Sequence, residues 1–517
     1  MRFIVRQLFY TCDAIAKSWE LVRACGIVVS TDYSGIGRAE VAVALLLEAL
    51  QHHSKLPAEK AASFAVIWRA SEVESSRRKV LLSHPPQHRP RHIMGDILYR
   101  IGWRTKVVLR ALLNKHLNKL KAKKTIHAAT KVGGRRGAMK KRPAANSIRT
   151  TRTKSATPIA QHRRDLTQTH GRAFLEEAWV EIQKTPPLEK AHCFACNQGC
   201  QVHPPPEVRG TRLYINVSGN TCTPWSTMGS RMGWLHESSI VLLAWLWSLV
   251  ESRPELIVNE CTHRFDVEAF ESLLSKWYVV QSCVYSPHHL GVPAKRHRRY
   301  TLCVRKDMVS ASMPWALTSL EENFWRRMEL TGRIFFRAPK RYLKRVFDKM
   351  AKYRGLSNSS SSEVLIAPGA RRRKQGHILA GIEGGLSFVC MNISQSSEFY
   401  AKGYASSAVP TLTTHSSQIW GKDLGAGCGA GLDRLMVAYE KLAVHGWPVF
   451  LPPSHCLAGV LPGCFTFQNM LSSKCPFGEA QLDKFAGNGM RLAQVGLAVA
   501  FGVLCLSPSP PSSEGSA

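Results

Sequence analysis

The stretch "CGIVVSTDYSGIG", residues 25–37, joins an apolar run to a turn with two glycines. The run predicts a buried strand, and "RAEVAVALLLEAL" at 38–50 predicts the helix that follows it. Glycines at such a turn let the backbone approach a ligand closely, and the helix N-terminus favours polar groups. The stretch therefore predicts a strand–turn–helix unit with a ligand site at its turn.

Apolar runs and helical patterns alternate along much of the remaining chain. Further strands are predicted at "FAVIWRASE" (64–72), "LYINVSG" (213–219), "PELIVNEC" (254–261), "YVVQSCVYS" (278–286) and "RYTLCVRK" (299–306). This alternation predicts an α/β fold with a doubly wound, mostly parallel, Rossmann-like sheet. Ligands of such sheets bind at the carboxyl ends of the strands.

Composition indicates the class of partner. Among 517 residues, 70 Lys and Arg face 36 Asp and Glu, a net charge of +34. This excess favours a polyanion, with DNA or RNA first and an anionic membrane surface second. Fifteen cysteines, an odd number, without a secretory signal predict free thiols in a reducing compartment. The apolar run "SIVLLAWLWSLV" (239–250) is too short to span a bilayer and predicts a buried core helix, so no membrane partner is expected.

The positive charge is concentrated between Ile101 and Arg164, where nineteen Lys or Arg occur without any Asp or Glu. The segment begins as a possible basic helix and continues into Gly, Pro, Ser and Thr, which predicts a largely disordered insertion that contacts phosphates. Within it, "KKRPAANSIRTTRTK" (140–154) resembles a bipartite nuclear signal. We therefore expect a nuclear protein, or otherwise a cytoplasmic one.

A cluster of cysteine and histidine lies at "HCFACNQGCQVH". Its candidate ligands are His192, Cys193, Cys196, Cys200 and His203. A Cys-x2-Cys pair can hold zinc, but this spacing matches no familiar zinc module. The sequence therefore favours a loop with free thiols, and no metal site is predicted.

Polar residues at predicted strand ends are candidates for chemistry. Cys222, in "SGNTCTPWSTMG" (218–229), is either an inert loop thiol or a nucleophile at the sheet edge. Glu260 ends an apolar strand, where burial would raise its pKa and suit it to proton donation; otherwise it is a solvated acid. Glu72 and Asp96 follow two earlier strands and could bind ribose hydroxyls and an adenine amino group, although such acids are commonly solvated loop residues.

In order, these stretches resemble eight motifs of the cytosine-C5 DNA methyltransferase family. "DYSGIG" resembles the family's "FSGxG", while "SE" at Glu72 and "GDI" at Asp96 resemble its next two cofactor motifs. "GNTCTPWSTMG", "NEC" and "GVPAKRHRRY" are similar to "PPCQPFSxxG", "ENV" and "VPQxRxRxF". "RLMVAYEKLAVHGWP" and "GNGMRLAQVGLAVA" resemble the last two motifs. The resemblance covers residues 25–99, 205–305 and 410–505.

The resemblance implies transfer of a methyl group from S-adenosylmethionine to C5 of a flipped cytosine in DNA. The catalytic residues it implies are Cys222, Glu260, Arg296 and Arg298. The cofactor-binding residues it implies are Tyr33, Ser34, Gly35, Gly37, Glu72, Asp96 and Asn488. Cys222 would add to C6, Glu260 would support protonation at N3, Arg298 would hold O2, and Arg296 would brace the loop. Arg434 is implied to be structural.

The resemblance also implies a division of the chain. Residues 20–99 and 205–305 would form two parts of the catalytic domain, separated by the basic insertion at 100–204. Residues 306–430 would be the target-recognition region, where basic stretches with interleaved aromatic residues suit phosphate and base contacts. Residues 431–508 would return to the catalytic domain, and 509–517 would be a disordered tail.

Several supporting residues depart from the family pattern. Asn-Thr-Cys-Thr replaces Pro-Pro-Cys-Gln at 220–223, Cys261 replaces an asparagine, Ala294 replaces a glutamine, and Asp32 lies one position late. Reduced activity or a changed substrate stays open. A tRNA cytosine-C5 methyltransferase of the same family is one alternative, although "CFT" (464–466) lies on the wrong side of the arginine motif for that branch. A catalytically decayed nucleic-acid-binding protein is the other.

Overall fold

Two sheets and their helices form the part of the chain that the structure, a computed structural model, describes. It covers residues 14–54, 65–133, 158–227, 229–309, 325–356, 362–395, 406–413, 418–425, 431–451, 459, 461–472, 474–487 and 489–506. The larger sheet contains β1 (Ile27–Asp32), β2 (Ala65–Ser71), β3 (His92–Met94), β4 (Lys190–Cys193), β5 (Gln198–Gln201), β6 (Leu213–Gly219), β7 (Leu256–Thr262), β8 (Tyr278–Tyr285) and β9 (Arg298–Arg305).

The strand order of the larger sheet is β5-β4-β3-β2-β1-β6-β7-β9-β8. Strands β3, β2, β1, β6 and β7 are parallel, whereas β4, β5, β8 and β9 pair antiparallel at the two edges. The predicted doubly wound, mostly parallel fold is confirmed. The chain moves outward from β1 to β3 and then returns to β6 on the other side of β1. This reversal opens a crevice at the carboxyl ends of β1 and β6, where such folds bind ligands.

Helices cover both faces of the sheet. They are α1 (Ala14–Cys25), α2 (Arg38–Ser54), α3 (Ser75–Leu82), α4 (Trp103–Gly133), α5 (Pro158–Gln183), α6 (Pro206–Arg209), α7 (Ser238–Ser252), α8 (Val267–Leu274), α9 (Lys340–Tyr353), α10 (Pro368–Glu383), α11 (Ala438–Val444), α12 (Phe467–Leu471), α13 (Glu479–Gly487) and α14 (Leu492–Leu504). α2 and α14 pack together on one face, while α4, α5 and α7 pack on the other. The predicted core helix is α7, which is buried along most of its length.

None of the helices in the described ranges is long and apolar enough to cross a bilayer. None of the twelve cysteines among the described residues forms a disulfide.

The insertion at 100–204, predicted to be largely disordered, contains helices and strands where the structure describes it, at residues 100–133 and 158–204. α4 and α5 form a helical pair, and β4 and β5 extend the sheet beyond β3. Leu109, Leu113 and Leu120 repeat at near-helical spacing and are buried with Phe174 against α7. The exposed charges of α4 lie on its outer face, so a count of its composition does not reveal the apolar stripe. Residues 134–157, with the possible nuclear signal, lie outside the described residues.

A second, three-stranded antiparallel sheet lies in and just beyond the predicted target-recognition region. It contains β10 (Phe388–Asn392), β11 (Ile419–Asp423) and β12 (Asp433–Leu435). α9 is amphipathic: Tyr342, Val346 and Phe347 are buried in the main core. Tyr342 and Phe347 pack internally and are not available for base contacts, whereas Tyr353 of the same helix is 93% exposed. The assignment of residues 306–430 to target recognition stays a prediction.

The burial of α4 predicts that it stabilises the larger sheet. Leu113 is 2% exposed, whereas Val107, on the outer face of the same helix, is 52% exposed. Leu113→Ala should lower the free energy of unfolding by about 2–5 kcal/mol, because it leaves a cavity. Val107→Ala should change it by less than about 0.5 kcal/mol. Urea denaturation of the full chain measures both, and equal effects would contradict a packed α4.

Candidate active site

The turn after β1 has the backbone geometry that its glycines predict. Tyr33, Gly35 and Gly37 have φ values of 53°, 60° and 87°, all in the left-handed region. A Cβ on Gly37 would lie 2.4 Å from Nε2 of His84, so glycine is required there. Ser34 Oγ accepts a hydrogen bond from the Ser71 backbone at 2.9 Å, which ties the turn to the end of β2.

Glu72 lies directly after β2, beside the glycine turn. Its two carboxylate oxygens accept hydrogen bonds from the backbone N–H groups of Gly35 and Glu74, at 2.8 and 2.9 Å. Burial raises the pKa of Glu72, while Arg77 and these hydrogen bonds oppose the rise. A carboxylate has about four acceptor positions, so Glu72 keeps capacity for ligand hydroxyls next to the turn.

Two further predicted cofactor residues have different outcomes. Asp96 follows β3 and is half-buried; it caps a short helical turn by accepting a hydrogen bond from the Leu98 backbone at 2.9 Å. Asp96 acts electrostatically on Tyr33, which places it near the glycine turn. Asn488 lies outside the described residues, between α13 and Gly489.

Cys222 lies in the loop after β6, at the crevice between β1 and β6. Its thiol is half-buried, and its carbonyl accepts hydrogen bonds from Trp225 and Ser226 at 3.0 and 2.9 Å, which close a turn around it. Asn220 donates its backbone N–H to the Glu260 carbonyl at 3.0 Å and so ties the loop to β7. A small cleft beside this loop is lined by Tyr33, Asn220, Pro224, Trp225, Ser239 and Leu242.

Glu260 faces an arginine at the end of β7. Its Oε1 lies 3.0 Å from Nε of Arg298, and both side chains are largely buried. β7 and β9 are paired, with Glu260 opposite Tyr300 and Thr262 opposite Arg298. This pairing fixes the separation of Glu260 and Arg298. The apolar setting expected for Glu260 therefore contains a positive charge.

Arg296, which the resemblance expects to brace the loop, connects its own segment to two others. Its guanidinium donates to the carbonyls of Leu412 and Gly489, at 3.1 and 2.8 Å. The pKa of Arg296 is lowered to about 10, chiefly by burial and also by Arg298, while Glu260 and Cys222 oppose the shift. Glu260, Arg298 and Cys222 thus all act electrostatically on Arg296.

Arg434 also has the structural role that the resemblance implies. Its guanidinium pairs with both carboxylate oxygens of the fully buried Glu440, at 2.8 and 2.6 Å. Glu440 in turn accepts backbone hydrogen bonds from Ala338 and Val437. The pair joins β12 to α11 and to the start of α9.

Sequence reasoning missed a buried charge cluster directly beneath the site. Asp32 pairs with Arg69 at 2.5 Å and with Arg100, and it accepts a hydrogen bond from Asn216 at 2.9 Å. Burial alone would raise the pKa of Asp32, but Arg100 and Arg69 hold it well below its usual value. The only signal in the sequence was the displaced position of Asp32 before the turn.

A second missed residue is Arg38, the first residue of α2. Its side chain is buried and donates to the carbonyls of Met490 and Phe485, at 3.1 and 2.6 Å. A Cβ on Gly489 would lie 1.8 Å from Nη1 of Arg38, so this contact needs glycine. Arg38 therefore holds the C-terminal "GNGM" segment against the glycine turn.

No protein-family model matches the chain, and no similar protein was found among curated proteins. Solved structures with a similar fold include the Dnmt2 methyltransferase of S. pombe, at 12% identity and a TM-score of 0.42 over 92% of this chain and 97% of that one. The methyltransferase EhMeth of Entamoeba histolytica has 9% identity and a TM-score of 0.38 over 92% and 98%. A putative DNA modification methyltransferase encoded within an E. coli prophage has 10% identity and a TM-score of 0.39 over 93% and 99%. Likeness at this level does not determine function.

Glu40, on the first turn of α2, predicts a pH-dependent stability. Burial raises its pKa to about 7, and a hydrogen bond from Thr31 opposes the rise. The folded protein therefore binds a proton more tightly than the unfolded chain, so stability falls as pH rises from about 4.5 to about 7. Glu40→Gln should remove this contribution and be more stable than wild type at pH 8 by up to about 3 kcal/mol.

Urea denaturation of both proteins between pH 4.5 and pH 8 measures the difference. The two free energies of unfolding should converge at the acidic end, where Glu40 is protonated in both states. Parallel pH profiles for the two proteins would contradict the prediction.

Proposed function

We propose that this protein is a cytosine-C5 methyltransferase that uses S-adenosylmethionine and acts on DNA. The observation that carries the proposal is the convergence of Cys222, Glu260, Arg296 and Arg298 beside the glycine turn, at the switch point of the sheet. These residues come from three separate sequence motifs. A thiol, a carboxylate and two guanidiniums in one place provide the nucleophile, proton donor and anion-stabilising groups that this reaction needs.

The residues of the crevice fit S-adenosylmethionine. The left-handed turn at Gly35 and Gly37 leaves no Cβ between backbone and ligand. Glu72 has acceptor capacity for ribose hydroxyls, and the side-chain amide of Asn220 is buried without a hydrogen-bond partner among the described residues. Tyr33, Ser34 and Asp96 complete the proposed contacts, with Asn488 implied by the motif. The bound cofactor would supply an electrophilic methyl group.

The chain's own residues would activate the base. Cytosine C5 is a weak nucleophile, so the Cys222 thiolate adds to C6 while Glu260 supports protonation at N3, which makes C5 enamine-like. Arg298, whose Nε lies 3.0 Å from Oε1 of Glu260, would hold O2 of the same base. After methylation, C5 loses its proton and the Cys222 thiolate leaves C6. The target base must first be flipped out of the duplex.

The outer face of α9 provides a surface for phosphates. Its exposed basic side chains are Lys340, Arg341, Lys344, Lys349 and Lys352. Opposite this face the helix is apolar and buried, so the charges are fixed in orientation by core packing. We propose that this face and the basic sequence at 134–157 contact the nucleic-acid backbone, and that the protein resides in the nucleus.

Cofactor binding can be tested at Glu72. Glu72→Ala should weaken the affinity for S-adenosylmethionine at least about tenfold, because it removes the acceptor beside the glycine turn. Glu74→Ala is the matched control, since Glu74 lies two residues on and its side chain is 52% exposed. Calorimetric titration of the full chain measures both affinities. Wild-type protein that is folded yet binds no cofactor would refute the assignment.

Covalent catalysis can be tested with 5-fluorocytosine in DNA and in tRNA. Fluorine at C5 cannot leave as a proton, so the adduct between Cys222 and C6 should be trapped and survive denaturation. Cys222→Ser should abolish it, whereas Cys283→Ser, a half-buried thiol in β8, should retain it. Tritiated methyl transfer in parallel identifies the substrate.

An adduct with tRNA alone would replace DNA by tRNA as substrate. Adduct formation in Cys222→Ser would place the nucleophile elsewhere. Binding of DNA without any adduct or methyl transfer would support the alternative of a catalytically decayed nucleic-acid-binding protein.

A further inference from the structure

Three cysteines of the β4–β5 hairpin lie against a histidine of the neighbouring strand. The ligand atoms of His92, Cys193, Cys196 and Cys200 all lie within 4.8 Å of one another. Nδ1 of His92 is 3.6 Å from Sγ of Cys196 and 3.8 Å from Sγ of Cys193. The four groups come from two separate segments of the chain, which sheet pairing brings together.

The distances fit a tetrahedral metal site. Zinc binds thiolate sulfur at about 2.3 Å and imidazole nitrogen at about 2.0–2.1 Å, which separates neighbouring ligand atoms of a tetrahedron by about 3.6–3.8 Å. The two measured sulfur–nitrogen distances fall in this range. Three thiolates and one imidazole are the soft, four-ligand set that selects zinc over harder cations.

We propose that His92, Cys193, Cys196 and Cys200 bind a structural zinc ion. All four positions of the tetrahedron are supplied by protein, so the site is closed to substrate and its role is to fold the hairpin. This set revises the sequence hypothesis, which named His192 and His203 and predicted free thiols.

Strand geometry explains why His92 belongs to the cluster and His192 and His203 do not. Successive side chains of β4 point to opposite faces, so Cys193 is buried while His192 is exposed. His203 is engaged elsewhere, with its Nδ1 2.9 Å from the Tyr214 hydroxyl. His92 is brought in by the β3–β4 pairing, in which Phe194 donates its backbone N–H to the Ile93 carbonyl at 2.7 Å.

The surroundings of the cluster also suit a bound metal. The Ile93 backbone N–H points at Sγ of Cys193 at 3.4 Å, as outer-shell donors to metal thiolates do. Asn197 has a φ of 54°, which turns the chain directly after Cys196. Cys193 and Cys200 are buried, whereas Cys196 is exposed and offers an entry path for the ion.

The hairpin needs such a link because its own apolar core is very small. That core contains only Met94, Cys193, Cys200 and Val202 as buried members, with Ala191 packed against them. An isolated two-stranded hairpin is marginally stable, and this one joins the larger sheet through the pairing of Met94 with Cys193. Two of its four buried members are thus the proposed ligands, and metal binding would supply the folding free energy that packing does not.

The test is metal analysis of the full chain purified without chelators from zinc-supplemented cells. Wild type should contain one equivalent of zinc, and cobalt exchange should give the visible d–d and thiolate charge-transfer bands of a tetrahedral sulfur-rich site. Cys196→Ser and His92→Ala should lose the zinc and change the cobalt spectrum. Circular dichroism of the same samples identifies a variant that has simply failed to fold.

Matched controls separate this site from the set named by the sequence. His192→Ala and Cys25→Ser should keep the full equivalent of zinc, and removal of zinc by a chelator should lower the melting temperature of wild type. Folded wild type that contains no zinc and binds no cobalt, a disulfide among the three cysteines, or a His92→Ala variant with an unchanged cobalt spectrum would each overturn the proposal. These measurements need neither cofactor nor nucleic acid, so they are independent of the proposed function.

Discussion

The arrangement of the site depends on one buried carboxylate, Asp32, held between Arg69 and Arg100. Asp32 ends β1, Arg69 lies on β2, Arg100 follows β3, and Asn216 on β6 completes the hydrogen bonds of the carboxylate. Removing one partner would leave an uncompensated charge in the core, which is strongly destabilising. The cluster therefore connects β1, β2, β6 and the segment after β3 immediately below the glycine turn, and the backbone on which the candidate residues lie is restrained from below.

Arginine-to-carbonyl contacts carry this order to segments far along the chain. Arg38 and Arg296 both reach the "GNGM" segment, through the carbonyls of Met490 and Gly489. Each guanidinium offers five donors in a rigid plane, so one side chain can hydrogen-bond to two carbonyl groups of non-strand backbone at once. Both arginines are buried, and burial lowers the pKa of Arg38 to about 9. Hydrogen bonds from charged guanidinium groups to backbone carbonyls thus join the C-terminal motif to the first motif.

The sequence predicted local features well and long-range contacts poorly. Apolar runs predicted β1, β2, β6, β7, β8 and β9, whereas the short and mostly exposed strands β4 and β5 have no apolar run to predict them. The order of the helical pair α4–α5 was not predicted, because a count of Lys and Arg does not show on which face of a helix the charges lie. The buried face of α4 is marked by Leu109, Leu113 and Leu120. The pairing of His92 with the β4–β5 hairpin could not be predicted, since it depends on which edge strand β4 joins.

The departure from the family's Pro-Pro-Cys-Gln pattern has a physical consequence in this loop. A proline at position 220 would have no N–H, yet here Asn220 donates one to the Glu260 carbonyl at 3.0 Å. The absence of a rigid proline ring is thus offset by this hydrogen bond, which connects the loop of Cys222 directly to the strand that carries Glu260. Beyond Cys222 the loop folds back so tightly that a Cβ on Gly229 would lie 1.9 Å from the Thr223 carbonyl oxygen. Backbone hydrogen bonds and a required glycine therefore restrain Cys222 where the related motif uses proline, and the altered residues alone do not argue for a loop that has lost its order.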